Sequence, residues 1–102
     1  MPAPELDRLI HEPARLRLVT LLYVVDEADF TYLADRTGMT AGNISSHMAK
    51  LESGGYVEID KSFVGRRPRT VYRLTTDGRT AVETYRREIA ALLTGIDDAD
   101  TP

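Results

Sequence analysis

Three arginines stand within four residues in Gly65-Arg66-Arg67-Pro68-Arg69-Thr70, in a chain that is acidic overall, with 13 Lys+Arg against 16 Asp+Glu and a formal charge of −3. A guanidinium forks onto phosphates and base edges better than an ammonium does, so this stretch suits a polyanionic partner. The charge is also unevenly spread. Residues 1–35 carry a net −4, residues 36–73 a net +4 and residues 74–102 a net −3. Segregation of positive charge into the middle third points to an anion there.

The same third holds a second group of candidate contacts. From Ala41 to Ser53, the residues Ile44, Met48 and Leu51 share one side of a helical wheel, with Ala41 near them. The opposite side carries Gly42, Asn43, Ser46, Ala49, Lys50 and Ser53, with Ser45 and His47 toward the flanks. This face is small and polar, and it has no carboxylate before Glu52. Small residues let a helix approach the floor of a DNA major groove about 12 Å wide. Asn43, Ser46 and Lys50 supply donors for phosphates and base edges. An ordinary solvated helix face mixes Glu with Lys, and this one does not. His47, beside that face, serves either a DNA contact or a hydrogen bond within the fold.

Other chemistry finds little support. The chain has no cysteine and only two histidines, His11 and His47, and no set of three well-placed metal ligands can be assembled. No Gly-x-Ser-x-Gly elbow and no glycine-rich phosphate loop occurs. We expect no enzyme, no metal and no cofactor. The longest apolar run, Leu21 to Val25, is far too short to span a bilayer, and the N-terminus carries acids where a signal peptide carries bases. A cytoplasmic protein without a membrane partner is expected.

These residues must be positioned by a single domain, since 102 residues support one core. Residues 5–12, with Leu6, Leu9 and Ile10, read as a short helical segment. Pro13 suits the first turn of a helix running to Val25, whose apolar residues cover most of its circumference and predict burial on more than one side. Asp26 to Asp29 end it. Asp29 caps a second helix, Phe30 to Arg36 or Thr37, closed by Gly38. Thr40 caps the helix from Ala41 to about Ser53, and Gly54-Gly55 stop it. Tyr56–Asp60 and Thr70–Leu74 alternate as strands, joined by a loop that carries the arginines. Thr75 or Thr76 starts a last helix, and residues 97–102 form a tail.

The expected fold is therefore mainly α with a small β-hairpin, in the order α-α-α-α-β-β-α. A helix-turn-helix over Phe30–Ser53 is followed by a hairpin, or wing: a winged helix-turn-helix with residues 13–75 as its core and 76–96 as a C-terminal helix. The wing tip would lie on the phosphate backbone or in the minor groove, whose narrow A·T stretches concentrate negative potential.

Several motifs carry a family resemblance in this same order. "LIHEPARLRLVTLL" (Leu9–Leu22) resembles the first helix of ArsR-type regulators, and "NISSHMAKLESGGYVEI" is similar to their recognition helix and following strand. "FVGRRPRTVYRLTTDGR" resembles the wing and Leu-Thr-x-x-Gly turn of MarR-type regulators. Over residues 5 to about 94 the chain resembles compact stand-alone winged-helix DNA-binding proteins related to both. The resemblance implies transcriptional regulation by a homodimer on a roughly palindromic operator. It implies groove contacts by Thr40, Asn43, Ser45, Ser46 and Lys50, and wing contacts by Arg66, Arg67 and Arg69. The cysteines and the histidine/carboxylate cluster of metal-sensing ArsR proteins are lacking here. No effector follows from the residues; a pocket for one would lie between helices or at a dimer interface.

The stripe Val82, Tyr85, Ile89, Leu92 and Ile96 advances by 3.5 residues on average, the spacing of a helix-packing seam. It packs either on its own domain or on another subunit. With Leu6, Leu9 and Ile10 it forms apolar surface outside the wing core, which favours a homodimer. Winged helices also serve as protein-interaction modules in larger assemblies, where the wing and third helix lose their basic character. Here both keep it.

Overall fold

The structure, a computed structural model, describes residues 5–99. Its elements are α1 (Pro13–Val25), β1 (Glu27–Asp29), α2 (Phe30–Thr37), α3 (Ala41–Ser53), β2 (Val57–Val64), β3 (Arg67–Leu74) and α4 (Thr76–Ala99). The four long helices and the hairpin are those expected. The strands form one antiparallel sheet in the order β1-β3-β2.

Local chemistry accounts for the helix starts. Pro13 occupies the first turn of α1, and the Glu12 side chain accepts from the Arg15 N–H at 2.7 Å. Asp29 caps α2 by accepting from the Tyr32 N–H at 2.8 Å. The core is built where α1, α2 and α3 meet: Leu18, Val19, Leu22, Leu33, Ile44, Met48 and Leu51 are all fully buried. On α1 complete burial is limited to Leu18, Val19 and Leu22. Leu16, Leu21 and Val25 are half-buried against the core, and Val24 is 74% exposed.

Four features depart from expectation. Residues 5–12 are turns rather than a helix. The Asp7 side chain caps one turn, accepting from the Leu9 and Ile10 N–H groups at 2.9 and 3.4 Å while its carbonyl accepts from the His11 N–H at 2.7 Å, and Glu12, extended before Pro13, ends that turn. The other oxygen of the Asp7 carboxylate accepts from the Tyr56 hydroxyl. That bond, partial burial, and the charges of Asp7 and Asp77 push the Tyr56 pKa up to about 12. The segment is thereby tied to the start of β2.

The acidic stretch after α1 supplies a third strand. Asp26 stops the helix at φ 70°, and Glu27, Ala28 and Asp29 pair with Arg73, Tyr72 and Val71. The hairpin is also longer than expected, because β2 and β3 pair continuously from Val57↔Leu74 to Val64↔Arg67. Its connection is only Gly65-Arg66, with Gly65 at φ 65°, as the first position of a two-residue II′ turn requires. Most of the arginine-rich stretch is thus strand. Pro68 faces Phe63, one position beyond the hydrogen-bonded pair that closes the turn. A missing N–H there costs no bond to β2, and β1 pairs only with residues 71–73 on the other side.

The hairpin's base is locked to α4. Thr75 donates to the Gly55 carbonyl at 2.6 Å, while its hydroxyl accepts from the Gly78 N–H at 2.9 Å, capping α4. A Cβ at Gly78 would run into the Tyr56 carbonyl, so the Leu-Thr-x-x-Gly turn needs glycine for close backbone approach. Farther along, Arg79 lies over the Tyr23 ring at 4.8 Å and bonds Asp26 at 3.0 Å, joining α4 to the end of α1. The helix runs to Ala99, past the expected start of the tail at 97; residues 100–102 of that tail lie outside the described residues. Among the described residues, no helix is long and apolar enough to cross a membrane.

Candidate nucleic-acid interface

α2 and α3 are joined by three residues. Gly38 ends α2 in the left-handed conformation, with its N–H on the Ala34 carbonyl at 2.9 Å. Met39 N–H bonds the Thr37 hydroxyl at 3.1 Å. The Thr40 hydroxyl then caps α3 by accepting from Asn43 N–H at 3.2 Å, and its own proton stays available to an acceptor outside. With Ile44, Met48 and Leu51 fully buried, the other side of α3 faces solvent. Thr40, Asn43, Ser45, Ser46 and Lys50 are all exposed on it.

Ser45 turns toward the sheet. It lines a cleft with Ala49, Glu52, Ile59, Lys61 and Tyr72. Burial raises the Tyr72 hydroxyl's pKa, and the neighbouring Ser45 hydroxyl offsets part of that rise. Lys61 is a cation that helix-wheel reasoning passes over. It belongs to the α3-facing side of β2 with Ile59, a placement readable from strand alternation once the hairpin register is known.

His47 sits differently from Asn43 and Lys50. It is half-buried on the side facing the start of α1, with Nδ1 3.2 Å from Arg15 Nη1 and 3.8 Å from Glu12 Oε2. Of the two roles expected for His47, the geometry gives the bond within the fold. Arg15 also donates to the Leu9 carbonyl at 2.6 Å. Partial burial works to raise the Glu12 pKa, but backbone N–H groups of Arg15 and Ala14 and the charges of His47 and Arg15 outweigh it, and the net shift is downward. This cluster fixes α3 against α1 from behind.

The arginines of the hairpin divide by position. Arg73, at its base, bonds Glu27 at 3.0 Å and lies 3.9 Å from Glu58 and 4.0 Å from Asp60. Arg69 is 3.9 Å from Asp29 and half exposed. Arg66 and Arg67, in the turn and at the start of β3, are exposed and have no carboxylate partner among the described residues. The hairpin thus carries its unneutralised charge at the tip.

The apolar stripe of α4 divides as well. Tyr85 is buried and its hydroxyl bonds His11 Nδ1 at 2.8 Å. Val82 and Ile89 are half-buried against the core, as are Leu6 and Leu9, and Ile10 is fully buried. Ile10 and Tyr85, expected at a dimer interface, are consumed by their own chain's core and leave little surface for a second copy. Leu92, Leu93 and Ile96 stay exposed at 40%, 57% and 57%. Among the described residues, no group of three His, Cys, Asp or Glu side chains could hold a metal ion.

Residues 14–93 match the family described as winged helix DNA-binding domain. The chain belongs to that family. The winged helix chain is similar over 90 residues to the uncharacterized protein MJ0432 of Methanocaldococcus jannaschii, with 33% identity covering 88% of this chain and 98% of that protein. It is 33% identical over 75 residues to YdgJ, an uncharacterized HTH-type transcriptional regulator of Bacillus subtilis, covering 74% of this chain and 45% of YdgJ; it therefore spans less than half of that relative. The solved structure of a transcriptional regulator homologue from Pyrococcus horikoshii OT3 superposes with a TM-score of 0.83 at 28% identity, covering 89% of this chain and 90% of that one. The resemblance to compact winged-helix regulators read from the sequence is borne out at the level of family and fold.

Proposed function

We propose that this winged helix protein is a sequence-specific, double-stranded DNA-binding transcriptional regulator of the cytoplasm. It acts as a homodimer on a roughly palindromic operator and is not an enzyme. The observation that carries the reading is the surface formed by α3 and the hairpin. From Thr40 to Lys50 the exposed side of α3 has no carboxylate, and the Arg66–Arg67 tip beside it is unneutralised. α3 enters the major groove, where Asn43 and Ser46 reach base edges and Thr40, Ser45 and Lys50 position the helix on the phosphates. Arg66, Arg67 and Arg69 follow the backbone and the adjacent minor groove. His47 acts from behind, holding α3 in place through Arg15.

The exposed end of the α4 stripe, Leu92, Leu93 and Ile96, is the part of the apolar surface left for a second copy. A dimer built there sets two recognition helices about 34 Å apart, one DNA turn. Sedimentation of the parent and a Leu92→Ser/Ile96→Ser variant tests this arm, and a parent that sediments as a monomer at micromolar concentration would contradict it.

Fluorescence anisotropy tests the DNA reading. A labelled duplex from upstream of the gene and an unrelated duplex are titrated with protein at several salt concentrations. Tight, salt-dependent binding that favours the upstream duplex is expected. Asn43→Ala should change preference among duplexes by about 1–3 kcal/mol where a base contact is lost. Absence of binding to either duplex at low salt would contradict the function.

A further inference from the structure

The end of the hairpin carries two large apolar side chains that the domain does not use: Phe63 is 73% exposed and Val64 63% exposed. A single exposed apolar residue is ordinary. Here the two are adjacent, and Phe63 faces Pro68 across the hairpin, in a non-hydrogen-bonded pair where side chains lie close. Alternation along β2 puts Phe63 on the same side as Ile59 and Lys61, two residues beyond the cleft that those two share with Ser45 and Ala49 of α3. The ring is therefore displayed on the α3 side of the wing, at the far end from the core.

Its surroundings decide what it meets. Lys61 shares its face, Arg66 stands in the adjoining turn, and Arg67 and Arg69 project from the opposite face of β3 on either side of Pro68; no carboxylate occurs in the sequence between Asp60 and Asp77. A second copy of the same tip would be repelled by this charge. A partner that presents anions on either side of a recessed apolar wall is complementary, and a duplex groove does so, with phosphates flanking deoxyribose and base edges.

We propose that Phe63, buttressed by Pro68, is an apolar contact residue of the wing that packs into the DNA minor groove beside the arginines. The inference rests on the DNA-binding function proposed above. A strand pair about 4.8 Å between axes, with its side chains, is too broad for a groove about 6 Å wide. The groove must open around Phe63. Pyrimidine–purine steps deform most easily, so duplexes with a TA or CA step under the wing should bind better than those with an A-tract there. Phe63 would then read deformability while α3 reads base edges.

The test uses two variants of the full chain, titrated beside the parent with the preferred duplex. Phe63→Ala should weaken binding on the order of tenfold or more, without changing the salt slope, because no charge is removed. Phe63→Trp gives the chain its only tryptophan, and its emission should be quenched or shifted in step with duplex anisotropy. If the parent and Phe63→Ala bind alike, or the tryptophan emission stays constant while the duplex binds, the assignment is overturned and the DNA reading stands. If the parent binds no duplex, both fall. Emission that responds to protein concentration or to phosphatidylserine vesicles, and not to duplex, assigns the patch to self-association or to a membrane and overturns the proposal.

Discussion

The two ends of the hairpin use the same residue type in opposite ways. At the base, Arg73 is surrounded by Glu27, Glu58 and Asp60, one from β1 and two from β2. At the tip, Arg66 and Arg67 have no such partners among the described residues, and exposed Phe63 and Val64 stand beside them. An arginine matched by carboxylates of its own chain has little field left for a partner. An unmatched one contributes nothing to the fold and is available to an anion. A basic residue count alone therefore misplaces function, because Arg73 adds to the positive middle third and yet belongs to the scaffold.

The largest effect that would sharpen this contrast is at the tip. Replacing Arg66, Arg67 and Arg69 with Ala should lower duplex affinity on the order of a hundredfold near 0.15 M salt, the size of releasing three phosphate contacts' counterions. Thermal unfolding should barely move. An unchanged binding isotherm at 0.15 M salt would show that the tip is not the contact surface.

The base should respond in the opposite sense. Gly78→Ala places a methyl against the Tyr56 carbonyl, at the junction that fixes the hairpin on α4. We expect a loss of about 1–3 kcal/mol in folding stability, the usual cost of overpacking a tight site, read by urea denaturation. A variant as stable as the parent would mean that the junction yields freely and does not hold the wing.

The Glu12–Arg15–His47 cluster is a second matched set, and its pH dependence follows from Glu12. The folded-state pKa of Glu12 is lowered, so over that range the unfolded chain binds more protons than the folded one, and stability rises with pH. Glu12→Gln should cost about 0.5–2 kcal/mol at neutral pH, the range for a helix cap. The deficit should shrink as the pH falls below the ordinary glutamate value of about 4.3 and through the lower folded value. A deficit constant down to acid pH would assign the effect to packing.

The smallest effect is expected at Arg73. Its side chain is 36% exposed, and Arg73→Ala should cost less than about 1 kcal/mol of stability, as surface ion pairs usually do.

Much of this arrangement is legible in the sequence because it is local. Pro13, Asp29, Thr40 and Gly38 mark helix ends through their own stereochemistry, and the buried side of α3 follows from the spacing of Ile44, Met48 and Leu51. What the sequence does not disclose depends on distant partners. Glu27–Asp29 is a strand only because Val71–Arg73 lies beside it, and the arginines are part of a strand only because β2 pairs with β3 out to Val64↔Arg67. The N-terminal segment has helix-like spacing, but its attachment through Asp7 to the Tyr56 hydroxyl, forty-nine residues away, is not visible in that spacing. Helical-wheel geometry places His47 at a flank; the presence of Arg15, thirty-two residues away, turns that flank inward. The division between Arg73 and Arg66 is of the same kind, since it depends on which carboxylates lie across the sheet.

The most direct test is the salt dependence of duplex anisotropy for three proteins: the parent, the Arg66/Arg67/Arg69→Ala tip variant and Arg73→Ala. If the tip carries the phosphate contacts, its removal should flatten the log–log slope by about 2.7, while Arg73→Ala keeps the parent slope. Equal slopes for all three, or a loss at Arg73 as large as at the tip, would contradict the division of the hairpin into a scaffold end and a DNA-binding end.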